Sequence, residues 1–374
     1  FRAMGVEVIR ASAHFVAPDE IEAGTRRLTF RRCVIAAGSA AVVPNLPGLH
    51  DVPYLTNETL FDLEDPPGHL IILGGGPIGL EMAQAHARLG CLVTVIEAAT
   101  IAGREDPECV AALRMALERD GVTLIEGMKA AGVSRDGEGV SVLLEDGRRV
   151  GGTHLLLALG RAPRLAGLDL AAARVEQTPR GIATDRRLRS TTNRRVWAAG
   201  DIADPAGIGP RAFTHVCSQH AALIVRAMLF RLPARLSYDA LPRVTYTDPE
   251  IATIGLTEAE ARAAGHDGLT ILRWPWAEND RLVAEGRPEG LVKFVVGRKG
   301  RLLGASLVGP RAGDMAGTIG LMIGRGLPLS ALAGLVLPYP TAAEALKRAA
   351  GDYYTPKLLS PFTKRLVGLL KRLP

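Results

Sequence analysis

The segment His69-Leu-Ile-Ile-Leu-Gly-Gly-Gly-Pro-Ile-Gly-Leu-Glu81 constrains the fold more than any other part of the chain. It reads as a buried strand over 69–73, a glycine turn, and a helix over 77–89. A second aliphatic strand, Cys91 to Glu97, follows and ends in an acid. Gly74 permits the tight turn, Gly76 lets the backbone approach a pyrophosphate, and Gly79 lets helix and strand pack closely. The helix N-terminus then faces the phosphates with unpaired N–H groups and a favourable dipole. Glu97 lies eighteen residues after Gly79, where a carboxylate accepts from ribose hydroxyls and repels a 2′-phosphate. The expected ligand is therefore NAD(H) rather than NADP(H), contacted by Gly74, Gly76, Pro77, Ile78, Gly79 and Glu97. The alternative is a glycine-rich turn in some other α/β unit.

A chain of 374 residues is long enough for two or three domains, each with its own core. The net charge of +6 raises the question of nucleic acid. The basic pairs Arg31-Arg32, Arg148-Arg149, Arg186-Arg187 and Arg194-Arg195 are scattered, however, and aromatics are only 5%, so no nucleic-acid partner is expected. Cys33, Cys91, Cys109 and Cys217 lack the spacing of a metal site or redox pair, and no metal is expected. Cys33 and Cys91 open strands and read as small buried hydrophobes. No apolar run reaches the ~18 residues of a membrane span. The best candidate, Gly320 to Tyr339, is broken by Arg325 and Pro328, and a cytoplasmic location is expected.

Short β segments are expected at 5–9 and 27–30, and a strand at 33–37 running into Gly38-Ser39. Asp65-Pro66-Pro67-Gly68 reads as a linker, because proline breaks regular elements. A helix over 106–120 and strands at 123–126, 140–144 and 154–159 follow, with a hairpin turn at Asp146-Gly147. Val196-Trp-Ala-Ala-Gly-Asp201 is a buried strand ending in Gly-Asp, and 214–230 is a helix. An acid at the carboxyl end of a strand is where α/β folds place ligand contacts. Beyond Ser237 the pattern changes to α+β, with strands at 244–246, 270–273, 290–296 and 302–308 and helices at 258–264 and 313–325. Thr257 and Glu260 form a capping box. From Pro361 the chain reads as a short basic amphipathic helix, suited to weak contact with an anionic membrane surface, to docking on its own dimer or to fraying in solvent.

Six segments in order resemble the class I pyridine nucleotide–disulfide oxidoreductases, the family of dihydrolipoamide dehydrogenase, glutathione reductase and mercuric reductase. They are Val34 to Ser39, Gly74 to Glu81, Leu159-Gly-Arg-Ala-Pro163, Val196 to Asp201, Tyr246-Thr-Asp-Pro-Glu250 with Ile254 to Glu258, and Leu337-Pro-Tyr-Pro-Thr-Ala-Ala-Glu344. The resemblance implies an α/β fold with two Rossmann-like nucleotide-binding domains and a C-terminal α+β dimerisation domain. The implied boundaries are 1–66 with 186–240 for an incomplete FAD domain, 67–185 for an inserted NAD domain, 241–354 for dimerisation and 355–374 for a tail. FAD and NAD(H) are the implied cofactors, a small-molecule electron acceptor the substrate, and a homodimer the assembly. Asp201 would bind the flavin ribityl chain. Gly38 and Gly200 would let the backbone approach FAD, Gly160 would contact a cofactor, Phe213 and His215 would lie near the flavin, and Glu81 would lie near the nicotinamide and flavin. Three plainer roles stay open: Asp201 as a helix cap, Glu81 as an acid favoured by the helix dipole, and His215 as a packed or solvent-facing histidine.

Two departures bear on function. The family opens with a further GxGxxG for FAD and a CxxxxC redox pair, and neither occurs here, so the expectation is that about a hundred residues precede Phe1 in a longer protein. The family's disulfide reductases also place a histidine before Pro-Thr, oriented by a glutamate four residues after the proline. Here that position is Tyr339, while Glu344 is kept. A tyrosine, with a pKa near ~10, is a poor base at neutral pH but still donates a hydrogen bond or a proton. Mercuric reductase-like proteins commonly carry tyrosine there, yet they end in a cysteine pair, and no cysteine follows Cys217. The expected activity is hydride transfer from NADH to flavin and on to a disulfide or related acceptor. The alternatives are a flavoprotein with a quinone or other non-thiol acceptor, and a non-catalytic NAD-binding, dimerising fragment.

Overall fold

The computed structural model describes residues 1–373, which divide into two compact units. One comprises Phe1–Val42 with Gly160–Tyr238, and the other Val43–Leu159 with 239–373.

In the first unit, Ala13–Ala17, Glu20–Ala23 and Arg26–Thr29 form an antiparallel meander. Cys33–Ile35 pairs in parallel with Val196–Ala198, and Ser39–Ala41 pairs antiparallel with Arg161–Pro163. The chain therefore leaves and re-enters this unit through adjacent strands. Residues 5–9 form no strand, because that segment finds no pairing partner. The sequence also conceals Ala13–Ala17, where Phe15 is the buried residue. The core joins Phe15 and Ile35 to Val196, Trp197, Ile202 and Ile224, the last on the helix Thr214–Met228.

In the second unit, four parallel strands run in the order His154–Leu157, His69–Leu73, Leu92–Glu97, Val122–Glu126. The near-continuous aliphatic runs follow from burial on both faces: Leu70, Ile71 and Ile72 are fully buried. The helices Pro77–Arg88 and Pro107–Arg119 connect successive strands, and each has proline at its first position, where no N–H is lost from the ladder. The meander Ala130–Asp136, Gly139–Leu144, Arg149–Gly152 precedes the last parallel strand. Its first strand is hidden in the sequence because Ala-Ala-Gly-Val-Ser-Arg-Asp does not alternate apolar with polar.

The same unit holds a five-stranded antiparallel sheet in the order Pro242–Thr245, Glu250–Gly255, Leu302–Gly309, Leu291–Val296, Thr270–Pro275. The helices Ala312–Gly324, Leu329–Ala333 and Glu344–Asp352 cover it. Thr257 caps the helix Glu258–Ala263, and both halves of the capping box are formed with Glu260. A buried ionic cluster sits in this unit: the Lys293 ammonium donates to Asp106, Glu108 and Glu258 at 2.8, 2.7 and 3.0 Å. Burial alone would push the Lys293 pKa down, but the three carboxylates carry it up.

Candidate functional site

The turn after His69–Leu73 is shaped by contacts that exclude side chains. Gly74 takes φ 111°, and a β-carbon there would collide with the Ala158 carbonyl. A β-carbon at Gly79 would strike the Gly74 carbonyl, so glycine is what lets the helix start against the strand. At Gly76 the space where a β-carbon would project is open to at least 4 Å. Gly76 is the N-cap of Pro77–Arg88, no side chain among the described residues caps that end, and Pro77 has no N–H. The N–H groups of Ile78 and Gly79 in the first turn thus keep the character of an anion site. Glu97 closes the other side. Its carboxylate accepts from Gly75 N at 2.7 Å and from Ala99 N at 2.9 Å. This brings Gly74, Gly76, Pro77, Ile78, Gly79 and Glu97 around one turn.

Glu81 lies one turn further along the helix. Its carboxylate accepts from the Tyr246 backbone N–H at 2.8 Å, so it does more than favour the dipole. Burial pushes its pKa up, against the lowering effect of that bond. Gln84, on the same helix and buried, is a residue that sequence reasoning misses. It donates to the Asp248 carbonyl at 2.7 Å and accepts from the Asp248 N–H at 2.6 Å. Its amide also donates to Asp120 at 2.8 Å. The Tyr-Thr-Asp-Pro motif is thereby fastened to the helix that follows the glycine turn. The only signal in the sequence is the motif itself.

In the first unit, Gly200 takes φ 74°, and a β-carbon there would lie 2.9 Å from the Cys217 sulfur. Its N–H donates to Nδ1 of the fully buried His220 at 3.1 Å. The imidazole therefore carries its proton on Nε2 and donates it to the Tyr238 hydroxyl at 2.8 Å. Burial drives the His220 pKa down to about 4, with the Asp201 charge opposing. Asp201 caps no helix. It accepts from the Ser39 hydroxyl at 2.6 Å, and Ser39 in turn accepts from Arg161 Nε at 2.7 Å. Arg161 also donates to the Ser39 carbonyl at 2.7 Å, an arrangement not visible from the Gly-Arg-Ala-Pro motif alone. The Gly160 carbonyl accepts from Val42 N at 3.0 Å. Gly38 takes φ 68°, and no atom lies within 4 Å of where a β-carbon would sit. Phe213 and His215 stack with ring centroids 5.2 Å apart.

Tyr339 is exposed, and its hydroxyl donates to Asp280 at 2.9 Å; no hydrogen bond joins it to Glu344 among the described residues. The cause is local. Asn279 caps the helix Asp280–Ala284 through Leu282 N while its amide donates to the Thr341 carbonyl at 3.1 Å. That fastens Asp280 beside Tyr339. The Asp280 carboxylate raises the phenol pKa. Glu344 is half-buried and opens the helix Glu344–Asp352. All four cysteines are free thiols. Cys91 is buried as expected, whereas Cys33 is only partly so, because the short strand it opens leaves that position at an edge of the core.

Comparison with known proteins places these features in a family. The pyridine nucleotide-disulphide oxidoreductase model matches residues 1–227, and that family's dimerisation-domain model matches residues 241–350. A mercuric reductase of Streptomyces lividans is 38% identical over 362 residues, covering 93% of this chain and 74% of the relative. A dihydrolipoyl dehydrogenase of Thermus scotoductus is 35% identical, covering 92% and 75%. The HOCl-induced flavoprotein disulfide reductase RclA of Escherichia coli has a solved structure that superposes with a TM-score of 0.84 at 29% identity, covering 92% of this chain and 79% of that one. Other mercuric reductases are longer, and the chain spans 54% of the one from Bacillus cereus. The chain belongs to the pyridine nucleotide-disulphide oxidoreductase family, flavin-dependent oxidoreductases that use pyridine nucleotides, and it carries the family's dimerisation domain.

Proposed function

We propose that this family member transfers hydride from NADH to FAD and passes the electrons to a small-molecule disulfide or related acceptor, working as a homodimer in the cytoplasm. The observation that carries it is the turn at Gly74–Gly79, open at Gly76 and faced by the Glu97 carboxylate. When bound, the two cofactors supply the electron chemistry. The Ile78 and Gly79 N–H groups would hold the pyrophosphate, and Glu97 would exchange its bond to Gly75 for one from a ribose hydroxyl. A 2′-phosphate there would meet like charge, which favours NADH. Glu81, held by Tyr246, would set the polarity beside the nicotinamide.

For FAD, the fit lies in Asp201, held by Ser39 and Arg161 so that its second oxygen can accept from a ribityl hydroxyl. Gly38 and Gly200 would allow close backbone approach, with the Phe213–His215 pair at the start of the neighbouring helix, and Gly160 would contact a cofactor. Tyr339 would act as a hydrogen-bond or proton donor toward the acceptor once its single hydroxyl proton turns away from Asp280, with Glu344 adding negative charge nearby. The domain extents in this proposal are 1–66 with 186–240 for FAD, 67–185 for NAD and 241–354 for dimerisation.

A non-thiol acceptor such as a quinone is the second reading. It is favoured by the tyrosine at 339, which replaces the base that thiol chemistry uses. Steady-state NADH oxidation with lipoamide, glutathione disulfide, Hg²⁺ and a soluble quinone separates the two. Turnover with the quinone alone would overturn the disulfide assignment.

A further inference from the structure

The segment after the dimerisation-domain match has a composition unlike the rest of the chain. From Tyr353 to Pro374 it holds Lys357, Lys364, Arg365, Lys371 and Arg372 and no acidic residue. Ser360 caps the helix Pro361–Leu370 by accepting from Thr363 N at 3.2 Å, and proline occupies its first position. The Thr363 hydroxyl donates to the Lys357 carbonyl at 2.7 Å, fixing the helix to the preceding turn.

No residue of this helix is buried. At ~100° per residue, Phe362, Leu366, Leu369 and Leu370 fall on one face. Phe362 is 75% exposed and Leu369 62% exposed. Lys364 occupies the opposite side and Arg365 one border of the apolar face, and Lys371 and Arg372 follow directly in the closing turn. Ten residues span about 15 Å, roughly half the ~30 Å hydrocarbon core, so the helix is too short to cross a bilayer. An exposed apolar face flanked and backed by cations alone is the pattern of a helix that lies in a lipid interface. Contact between two copies of the helix would bring cations together with no acid in either segment to offset them.

We propose that Pro361–Leu370 is an interfacial helix that lays its apolar face on an anionic lipid bilayer surface, attaching the enzyme reversibly. Acidic headgroups supply the charge that the cations lack, and the acyl boundary covers the leucines. The inference is independent of the redox assignment, since it uses no residue of the nucleotide or flavin sites.

The test is vesicle flotation of the full chain, with phosphatidylcholine vesicles compared with vesicles containing phosphatidylglycerol. Binding should be roughly tenfold greater with the anionic lipid and should fall away near ~0.5 M salt, where the Debye length is only a few ångströms. The paired substitutions Leu366→Asp with Leu369→Asp, and Lys364→Glu with Lys371→Glu, should each abolish flotation. Both should leave thermal stability and oligomeric mass unchanged, because the helix buries none of its side chains. Equal binding to both vesicles, or to neither, would overturn the proposal. So would a dimer that becomes monomeric in the Leu366→Asp, Leu369→Asp variant, since the apolar face would then belong to a contact between subunits.

Discussion

The Tyr339 hydroxyl donates a hydrogen bond to Asp280 at 2.9 Å, across 59 residues of chain. The carboxylate raises the phenol pKa, so Tyr339 stays protonated at neutral pH and serves as a donor. Asp280→Asn should lower the pH at which a phenolate band appears at this position, with Tyr339→Phe identifying the band. Tyr339→Phe should also reduce turnover with the acceptor by about tenfold or more, the usual scale for a positioned proton donor, while flavin reduction by NADH proceeds unchanged. Equal losses in both half-reactions would count against the assignment.

Glu97 does two jobs in the structure, holding the Gly75 and Ala99 N–H groups while facing the glycine turn. Glu97→Arg should shift coenzyme preference toward NADPH, at some loss of thermal stability because two backbone donors lose their acceptor. The NADH/NADPH ratio of kcat/KM is the readout. A stable variant with an unchanged ratio would remove Glu97 from the ribose site.

His220 sets a pH limit on the turn at Gly200–Asp201. Its pKa is driven down to about 4 from an ordinary value of 6.5 because the buried ring is held neutral. Between those values the unfolded chain binds more protons than the folded one, so stability rises with pH across that window and is lost as pH falls through it. Each pKa unit corresponds to about 1.4 kcal/mol. Thermal unfolding of the wild type should therefore show a falling midpoint from pH 6.5 toward pH 4 that is flatter in His220→Gln. Parallel curves for the two proteins would place the titration elsewhere.

Lys293 is buried against three carboxylates. Lys293→Met should cost about 3–5 kcal/mol, the scale for removing one member of a buried pair, because Asp106 is left charged and buried. Hydrogen bonding to Arg273, and then to Lys293, holds the Glu108 pKa down to about 2 from 4.5. That contribution is present above pH 4.5 and lost as pH falls toward 2. Urea denaturation at about pH 7 and about pH 3 measures both effects. A variant as stable as the wild type at neutral pH would show that the cluster is not integral to the fold.

What is legible in the sequence follows from local chemistry. The strands at 69–73 and 92–97 are aliphatic because both faces are buried, and the turn between them carries glycines where a side chain would collide with a carbonyl. The Thr257–Glu260 cap involves residues three apart and is equally readable. What is hidden depends on distant partners. Ser39 meets Arg161, Gln84 meets Asp248, and Lys293 meets Asp106 only once the fold has brought together residues 122, 164 and 187 positions apart. Residues 5–9 carry strand-forming side chains but have no neighbour to pair with, and pattern alone cannot supply one. The Tyr339–Asp280 bond escapes for the same reason: the family pattern directs attention to Glu344.

The most direct test of the central claim is an anaerobic visible spectrum of the chain, supplied with FAD, cleared of excess, and treated with NADH or NADPH. The prediction is a bound flavin band that bleaches with NADH at lower concentration than with NADPH. A protein that retains no flavin, or a bound band that NADH leaves unchanged, would contradict it.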